Sequence, residues 1–266
     1  MQTTMKMAVD AVDHTKYIAR SRASVEALKS ANLLKNLNIN ALIYGESGVG
    51  KVSLCKHILP ESIVVDGENL DEVLECLSTQ NNLIIKNFHR IGNFQKVKSV
   101  IKLHKTRIIA TSLDKLSEKI ADEFFSLKIT IPPLRDRLED VSLLAEKFFK
   151  EVSIAFGFLK KNELSLENFS LDLSQNCFSL RKSIYLKYLI NSMSEQDVLE
   201  MMEAFLSKKV GGKDDYRELL YLFDVPLIKC GFKKFHSQLL MSEKFGLNRN
   251  TLRKKINDYK DTYQLQ

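Results

Sequence analysis

The stretch Gly45-Glu46-Ser47-Gly48-Val49-Gly50-Lys51 constrains the fold of this chain more than any other. It stands between the apolar run Ala41–Tyr44 and the helical run Val52–Ile58. Glycines let backbone N–H groups converge, the following helix start adds partial positive charge, and the lysine adds a full one. The pattern G-x-x-x-x-G-K is therefore that of a phosphate-binding loop, and it belongs in a strand–loop–helix setting. Further short runs rich in Ile, Leu or Val occur at Ile63–Val65, Leu83–Ile85, Arg107–Ala110 and Leu127–Ile131. Helical stretches such as Leu70–Leu77 and Gln95–Leu103 separate them. Strands alternating with helices predict a parallel α/β sheet. The candidate nucleotide-binding residues are Gly45, Glu46, Ser47, Gly48, Val49, Gly50 and Lys51. Val52 stands where a Ser or Thr hydroxyl would hold Mg²⁺. The loop thus reads either as a phosphate cradle or as a retained scaffold that binds no nucleotide.

Composition narrows the class. Apolar residues make up 44% of the 266 and charged residues 27%, the balance of an ordinary globular chain. No apolar run reaches the ~20 residues of a membrane span, and the first residues lack a signal-peptide core. A cytoplasmic protein without membrane contact is expected. Cys55, Cys76, Cys177 and Cys230 form no C-x-x-C pair, and the histidines are scattered. Reduced thiols are expected rather than a disulfide framework, and no metal site. The formal charge of +7 is concentrated: Lys229 to Lys260 holds nine Lys and Arg against Glu243 and Asp258, and the remainder is neutral. Such a tip suits a polyanion, although a solvated basic helix face has the same composition.

Five segments are expected. Residues 1–17 are a polar, irregular lead and residues 18–139 the α/β portion, opening with a helical stretch from Ile18 to about Leu37. After Pro132-Pro133 the pattern changes, and residues 140–210 read as helices forming a lid. Residues 211–225, beginning Gly211-Gly212-Lys213-Asp214-Asp215, read as a linker. Residues 226–266 are a helical tail. In the tail, Lys233–Phe245 reads as one helix ended by Gly246, and Asn248 as the N-cap of a second, Arg249–Tyr259. Leu252, Ile256 and Tyr259 fall on one face of that second helix, leaving Arg249, Asn250, Arg253, Lys254 and Asn257 on the other. This is the layout of a helix-turn-helix, and Arg and Asn can each pair with base edges. The candidate DNA contacts are Asn248, Arg249, Asn250, Thr251, Arg253, Lys254 and Lys255. An amphipathic helix packed on a neighbour is the competing reading.

Several segments, in order, carry a resemblance. Gly45–Lys51 resembles the GESGTGKE loop of the sigma-54-dependent (NtrC-type) transcriptional activators. Ile18-Ala-Arg-Ser21 is similar to their I-G-x-S, and Arg107-Ile-Ile-Ala-Thr111 to their R-I-I-A-A-T. Ile131-Pro-Pro-Leu-Arg-Asp-Arg137, followed by Glu139-Asp140-Val141 and Leu143-Leu-Ala-Glu146, resembles LPPLRER…ED[IV]…LLAE. Gly246-Leu-Asn-Arg-Asn-Thr-Leu-Arg-Lys-Lys255 resembles the G-I-N-R-N-T-L-R-K-K of their Fis-type helix-turn-helix. The resemblance spans about Ile18 to Tyr259. It implies an AAA+ P-loop α/β domain with a parallel sheet and helical lid, then an all-α DNA-binding tail.

The same comparison exposes losses. The family's Walker B strand ends in Asp-Glu; here Asn82–Ile85 is followed by Lys86-Asn87. An ammonium repels Mg²⁺, and an amide cannot act as a general base. The sensor I asparagine corresponds to Ser112, and the arginine finger falls on Glu123. Of the lid motif P-G-N-V-R-E-L, set against Cys177–Ser183, only Arg181 is matched, as the sensor II arginine, and it joins the candidate nucleotide-binding residues. Only 34 residues separate Lys51 from Lys86, which leaves no room for the family's GAFTGA loop. The expectation is a DNA-binding transcriptional regulator that is not an enzyme and has no catalytic residues. It requires no cofactor and binds ATP or ADP weakly, with little need of Mg²⁺. The expected partners are double-stranded DNA, a second copy as a homodimer, and RNA polymerase or an intact AAA+ activator, in the bacterial nucleoid. Two alternatives stand beside it: an interaction scaffold or antagonist of intact activators, and an active ATP-dependent sigma-54 activator.

Overall fold

The computed structural model describes residues 17–113, 116–156 and 171–265, so the expected lead over residues 1–17 lies outside the described residues apart from Tyr17. The chain divides into two units, residues 1–192 and 193–266.

The first unit begins with α1 (Arg22–Asn36), capped by Ser21, whose side chain accepts from the Ser24 amide. Then β1 (Ala41–Tyr44), α2 (Lys51–Ile58), β2 (Val64–Asp66), α3 (Leu70–Thr79) and β3 (Asn82–Lys86) follow. Next come α4 (Phe94–His104), β4 (Arg107–Ser112), α5 (Glu118–Phe124) and β5 (Leu127–Thr130). Asn69, Asn93 and Ser117 set the starts of α3, α4 and α5, each accepting a backbone N–H in the first turn. The strands pair in parallel in the order β2-β3-β4-β1-β5. This is the predicted sheet.

Side-chain alternation divides the sheet into two buried faces. Ile43, Ile84 and Ile109 pack with Ala31 and Leu34 of α1 and Leu54 of α2. Leu42, Leu83, Ile85 and Ile108 pack on the other face with Val73 and Leu77 of α3, Val97 of α4 and Phe124 of α5. Being covered on both sides, β1 and β4 are buried at every position, which makes them near-continuous apolar runs in sequence. Beyond β5, α6 (Val141–Phe156) and α7 (Cys177–Ser192) form the lid around Leu134, Ala145, Phe148, Leu180 and Ile184.

The second unit holds α8 (Glu195–Leu206), α9 (Asp215–Leu219), α10 (Tyr221–Phe235), α11 (Gln238–Phe245) and α12 (Arg249–Tyr263). Its core joins Val225 and Ile228 of α10, Met241 of α11, and Leu252 and Ile256 of α12. Several boundaries differ from the sequence reading. The lid was expected to reach residue 210, but the division at Ser192 puts α8 in the second unit. The segment 211–225 was expected to be a linker, yet α9 lies within it and α10 begins at Tyr221 and runs through Pro226. Proline costs that helix one N–H, and burial of Val225 and Ile228 offsets the loss. The expected helix Lys233–Phe245 is broken, because His236 adopts a left-handed conformation and Ser237 caps α11 through the Leu240 amide. Among the described residues no helix is long and apolar enough to cross a membrane.

Candidate functional site

The loop after β1 takes its shape from three glycines with positive φ: Gly45 at 149°, Gly48 at 76° and Gly50 at 99°. A Cβ on Gly45 would lie 2.5 Å from the Ile131 carbonyl oxygen, and one on Gly48 would lie 2.8 Å from that of Gln175. The loop is therefore pressed between β5 and the start of α7, and only glycine fits there. Lys51, 9% exposed, folds back so that Nζ donates to the Gly45 carbonyl at 2.5 Å and the Glu46 carbonyl at 2.7 Å. Burial pushes its ammonium down to about 8.

A cavity of about 480 Å³ opens over this loop. Ser47, Gly48, Val49, Gly50, Lys51 and Arg181 line it, so most of the predicted nucleotide residues converge there. Gly45 and Glu46 do not line it. Gly45 turns the chain out of β1, and Glu46 faces the lid connection: Arg135 grips its carboxylate with two bonds, of 2.6 and 3.0 Å, and the Asn176 amide donates at 3.1 Å. Those two partners hold the Glu46 carboxyl below the usual carboxylate range. Arg181 is turned to Glu151 at 3.2 Å, with its guanidinium 4.6 Å from the centre of the Phe148 ring.

The lid contributes contacts that sequence reasoning missed. Asn176 accepts the Leu134 amide at 2.6 Å and donates to the Ser47 carbonyl at 2.9 Å, and the Cys177 amide donates to the Gly48 carbonyl at 3.1 Å. Phe178 stands over Gly48. Set against P-G-N-V-R-E-L, Asn176 and Leu180 take the Asn and Leu, which puts Phe178 at the arginine, three residues before Arg181. The shared Asn was the available signal. A second missed residue is Arg137, which is fully buried. It donates to the Val49 carbonyl at 2.6 Å and pairs with Asp140 at 3.3 Å. Asp140 in turn accepts from the Arg20 and Ser21 amides and from the Ser21 and Ser24 hydroxyls. The I-A-R-S, phosphate-loop and L-P-P-L-R segments thus meet at the Arg137–Asp140 pair.

At the end of β3, the Lys86 ammonium lies 3.0 Å from Asp66, and the Asn87 amide donates to both oxygens of that carboxylate. Burial opposes the ionisation of Asp66, but Lys86, the Glu68 amide and Asn87 hold its carboxyl below the usual range. Among the described residues the cavity lining contains Lys51, Lys86, Arg137, Lys147 and Arg181 and no carboxylate. Phosphate fits this donor set; Mg²⁺ would meet five cations and only uncharged side-chain oxygens, among them those of Ser47, Ser53, Thr111 and Asn87. Glu123, at the finger position, pairs with Lys98 at 3.0 Å.

In the second unit, Gly246 ends α11 with a φ of 64°, and the Asn248 side chain accepts the Asn250 amide at 2.9 Å to start α12. Leu252 and Ile256 are buried and Tyr259 half-buried, whereas Asn248, Arg249, Asn250, Thr251, Arg253 and Lys254 are exposed along the other face. Lys255 departs from the expected set. It is half-buried and its ammonium lies 2.5 Å from Asp224 of α10, which also accepts from the Tyr259 hydroxyl. Its place between Leu252 and Tyr259 on the helix surface turns it inward.

No family model matches the sequence, and no curated protein matches it. Among solved structures, the chain is similar to NtrX from Brucella abortus. The complex of that protein with ADP aligns over 97% of this chain and 72% of its own, with a TM-score of 0.57 and 15% identity. Its complex with ATP aligns over the same shares at 0.54 and 15%. The likeness shows the fold: a parallel five-stranded α/β sheet with a glycine loop after β1 and helices beyond β5, followed by an all-α tail.

Proposed function

We propose that this chain is a DNA-binding transcriptional regulator of the sigma-54-activator type whose AAA+ body has lost its motor. The carrying observation is α12: its apolar face is buried, and Arg249, Asn250 and Arg253 stand exposed near its start. That disposition supports insertion into a major groove, with Arg and Asn reading base edges and Lys254 on phosphate. Loss of the motor is supported by Lys86-Asn87 at the end of β3, by Val52 after the loop lysine and by Glu123 at the finger. A lost arginine finger alone costs ~10³–10⁵ in rate. The cradle keeps its shape, and the similar NtrX has been crystallised with ADP and with ATP, which supports nucleotide binding. A homodimer is supported by α8, which buries none of its residues and exposes Val198, Leu199, Met201 and Phe205.

The test is competition binding of the full chain to a selected DNA site and to random DNA, together with phosphate release. Arg249→Ala with Arg253→Ala is expected to abolish the preference for the selected site, and phosphate release is expected to equal that of Lys51→Ala. Unchanged affinity and preference in the double variant would remove DNA reading and give the lead to the interaction scaffold or antagonist.

A further inference from the structure

We infer that the cavity over the phosphate loop takes a nucleoside polyphosphate free of divalent metal, with the Lys86 ammonium neutralising the charge a metal would otherwise carry. The inference rests on the proposed nucleotide reading and adds the state of the ligand and the residue that selects it.

Three features of the site converge on it. The first is charge. Among the described residues the lining brings Lys51, Lys86, Arg137, Lys147 and Arg181 to one cavity without a carboxylate. A divalent ion entering with the phosphates would meet these cations and find no carboxylate, only neutral oxygens such as the hydroxyls of Ser47, Ser53 and Thr111, with Val52 after the loop lysine offering none. A metal-free polyphosphate carries its whole negative charge to the same groups.

The second is how Lys86 is held. Its partner Asp66 is not part of the lining, and its own side chain is 45% exposed, so the ammonium stands at the cavity's edge. Asn87 Nδ2 reaches the two Asp66 oxygens at 3.2 and 3.3 Å. Asp66 therefore keeps a partner when Lys86 turns to a phosphate, and the exchange strands no buried charge. Asn87 reaches Asp66 from a left-handed backbone (φ 54°), and its backbone N–H donates to the Thr111 hydroxyl at 3.4 Å.

The third is the apolar part of the lining. Tyr17, Ile18, Val49, Leu144 and Phe148 give the cavity an apolar side. An inorganic polyphosphate has nothing to place there, whereas a nucleoside has a base.

Calorimetry on the full-length protein tests this with ATP in chelator, ATP in excess Mg²⁺, and inorganic tripolyphosphate in chelator. Binding of ATP is expected to be about tenfold tighter in chelator, the size of one charge-assisted contact. Lys86→Gln is expected to abolish that difference by weakening the metal-free complex. Lys86→Asp, which returns a carboxylate to the end of β3, is expected to reverse the order. Tripolyphosphate is expected to bind more weakly than ATP. Equal or tighter binding in Mg²⁺ by the unmodified protein overturns the inference while leaving the nucleotide site standing. Tripolyphosphate binding as tightly as ATP overturns its nucleoside part. No heat with ATP under either condition overturns it and withdraws nucleotide binding from the proposed function, leaving DNA binding untouched. The unmodified chain decides these outcomes, so they do not depend on the folding of a variant.

Discussion

Asp140 is buried and charged at once, a combination that survives only when hydrogen bonds replace water. Burial opposes its ionisation, but the Ser24 hydroxyl, the Ser21 and Arg20 amides and the Ser21 hydroxyl hold the carboxyl below the usual range. Asp140→Asn would leave the Arg137 guanidinium buried without its counter-charge, and about 3–5 kcal/mol of stability should be lost. Urea unfolding of the two proteins measures this. The pH dependence has a definite sign. A lowered folded value means that the contribution of Asp140 is complete above the unfolded carboxylate range and is lost as pH falls through the folded value. The acid-side fall in stability should therefore be shallower in Asp140→Asn. Lys51 has the opposite character: burial lowers its ammonium to about 8, and a bound phosphate restores the charge. Nucleotide affinity should decline as pH rises above 8, with uptake of a proton on binding. Lys51→Arg, which stays charged, should lack that decline in a calorimetric pH series.

Helix α7 is docked on the phosphate loop through the close approach at Gly48. Gly48→Ala would drive a Cβ into the Gln175 carbonyl and the Phe178 ring at a φ of 76°. About 1–3 kcal/mol of strain is expected, and the cradle should loosen with it. Thermal unfolding and nucleotide titration should fall together. In the other unit, Lys255 clamps α12 to α10 through Asp224, a residue only 9% exposed. Lys255→Ala should lower stability by about 1–3 kcal/mol by leaving that carboxylate without its cation. Lys254→Ala should leave stability unchanged and flatten the salt dependence of DNA binding by about one unit of slope. These contrasts mark how far the sequence could be read. The strands were legible because a sheet covered on both faces needs short unbroken apolar runs, as at Ala41–Tyr44 and Arg107–Ser112. The inward face of α12 was legible from the spacing of Leu252 and Ile256. The passage of α10 through Pro226 was not, because tertiary burial overrode a local penalty. Nor were the partners of Asn176 and Glu46, some 130 residues apart. Lys255 looked like its neighbour Lys254 until Asp224, 31 residues earlier, was brought beside it.

For the molecule as a whole, the charge distribution sets how it meets DNA. The excess of +7 resides between Lys229 and Lys260, within the second unit, and the remainder of the chain is neutral. Attraction to DNA should therefore come from the tail and be strongly screened. A dimer making six or more phosphate contacts should lose about a thousandfold in affinity between 50 and 200 mM salt. Fluorescence anisotropy across that range measures the slope, and analytical ultracentrifugation of the complex should find two chains per site. A shallow slope would be incompatible with the tail as the docking element. The Arg137 bond to the Val49 carbonyl spans 88 residues and bears on the order of events during synthesis. At about 5–20 residues per second, the glycine loop waits roughly 4–18 s after leaving the peptidyl-transferase centre before the arginine that holds it has even been made. The cradle is thus among the later parts of its unit to take shape, and a chain released before Arg137 would hold all five strands but an unsecured loop.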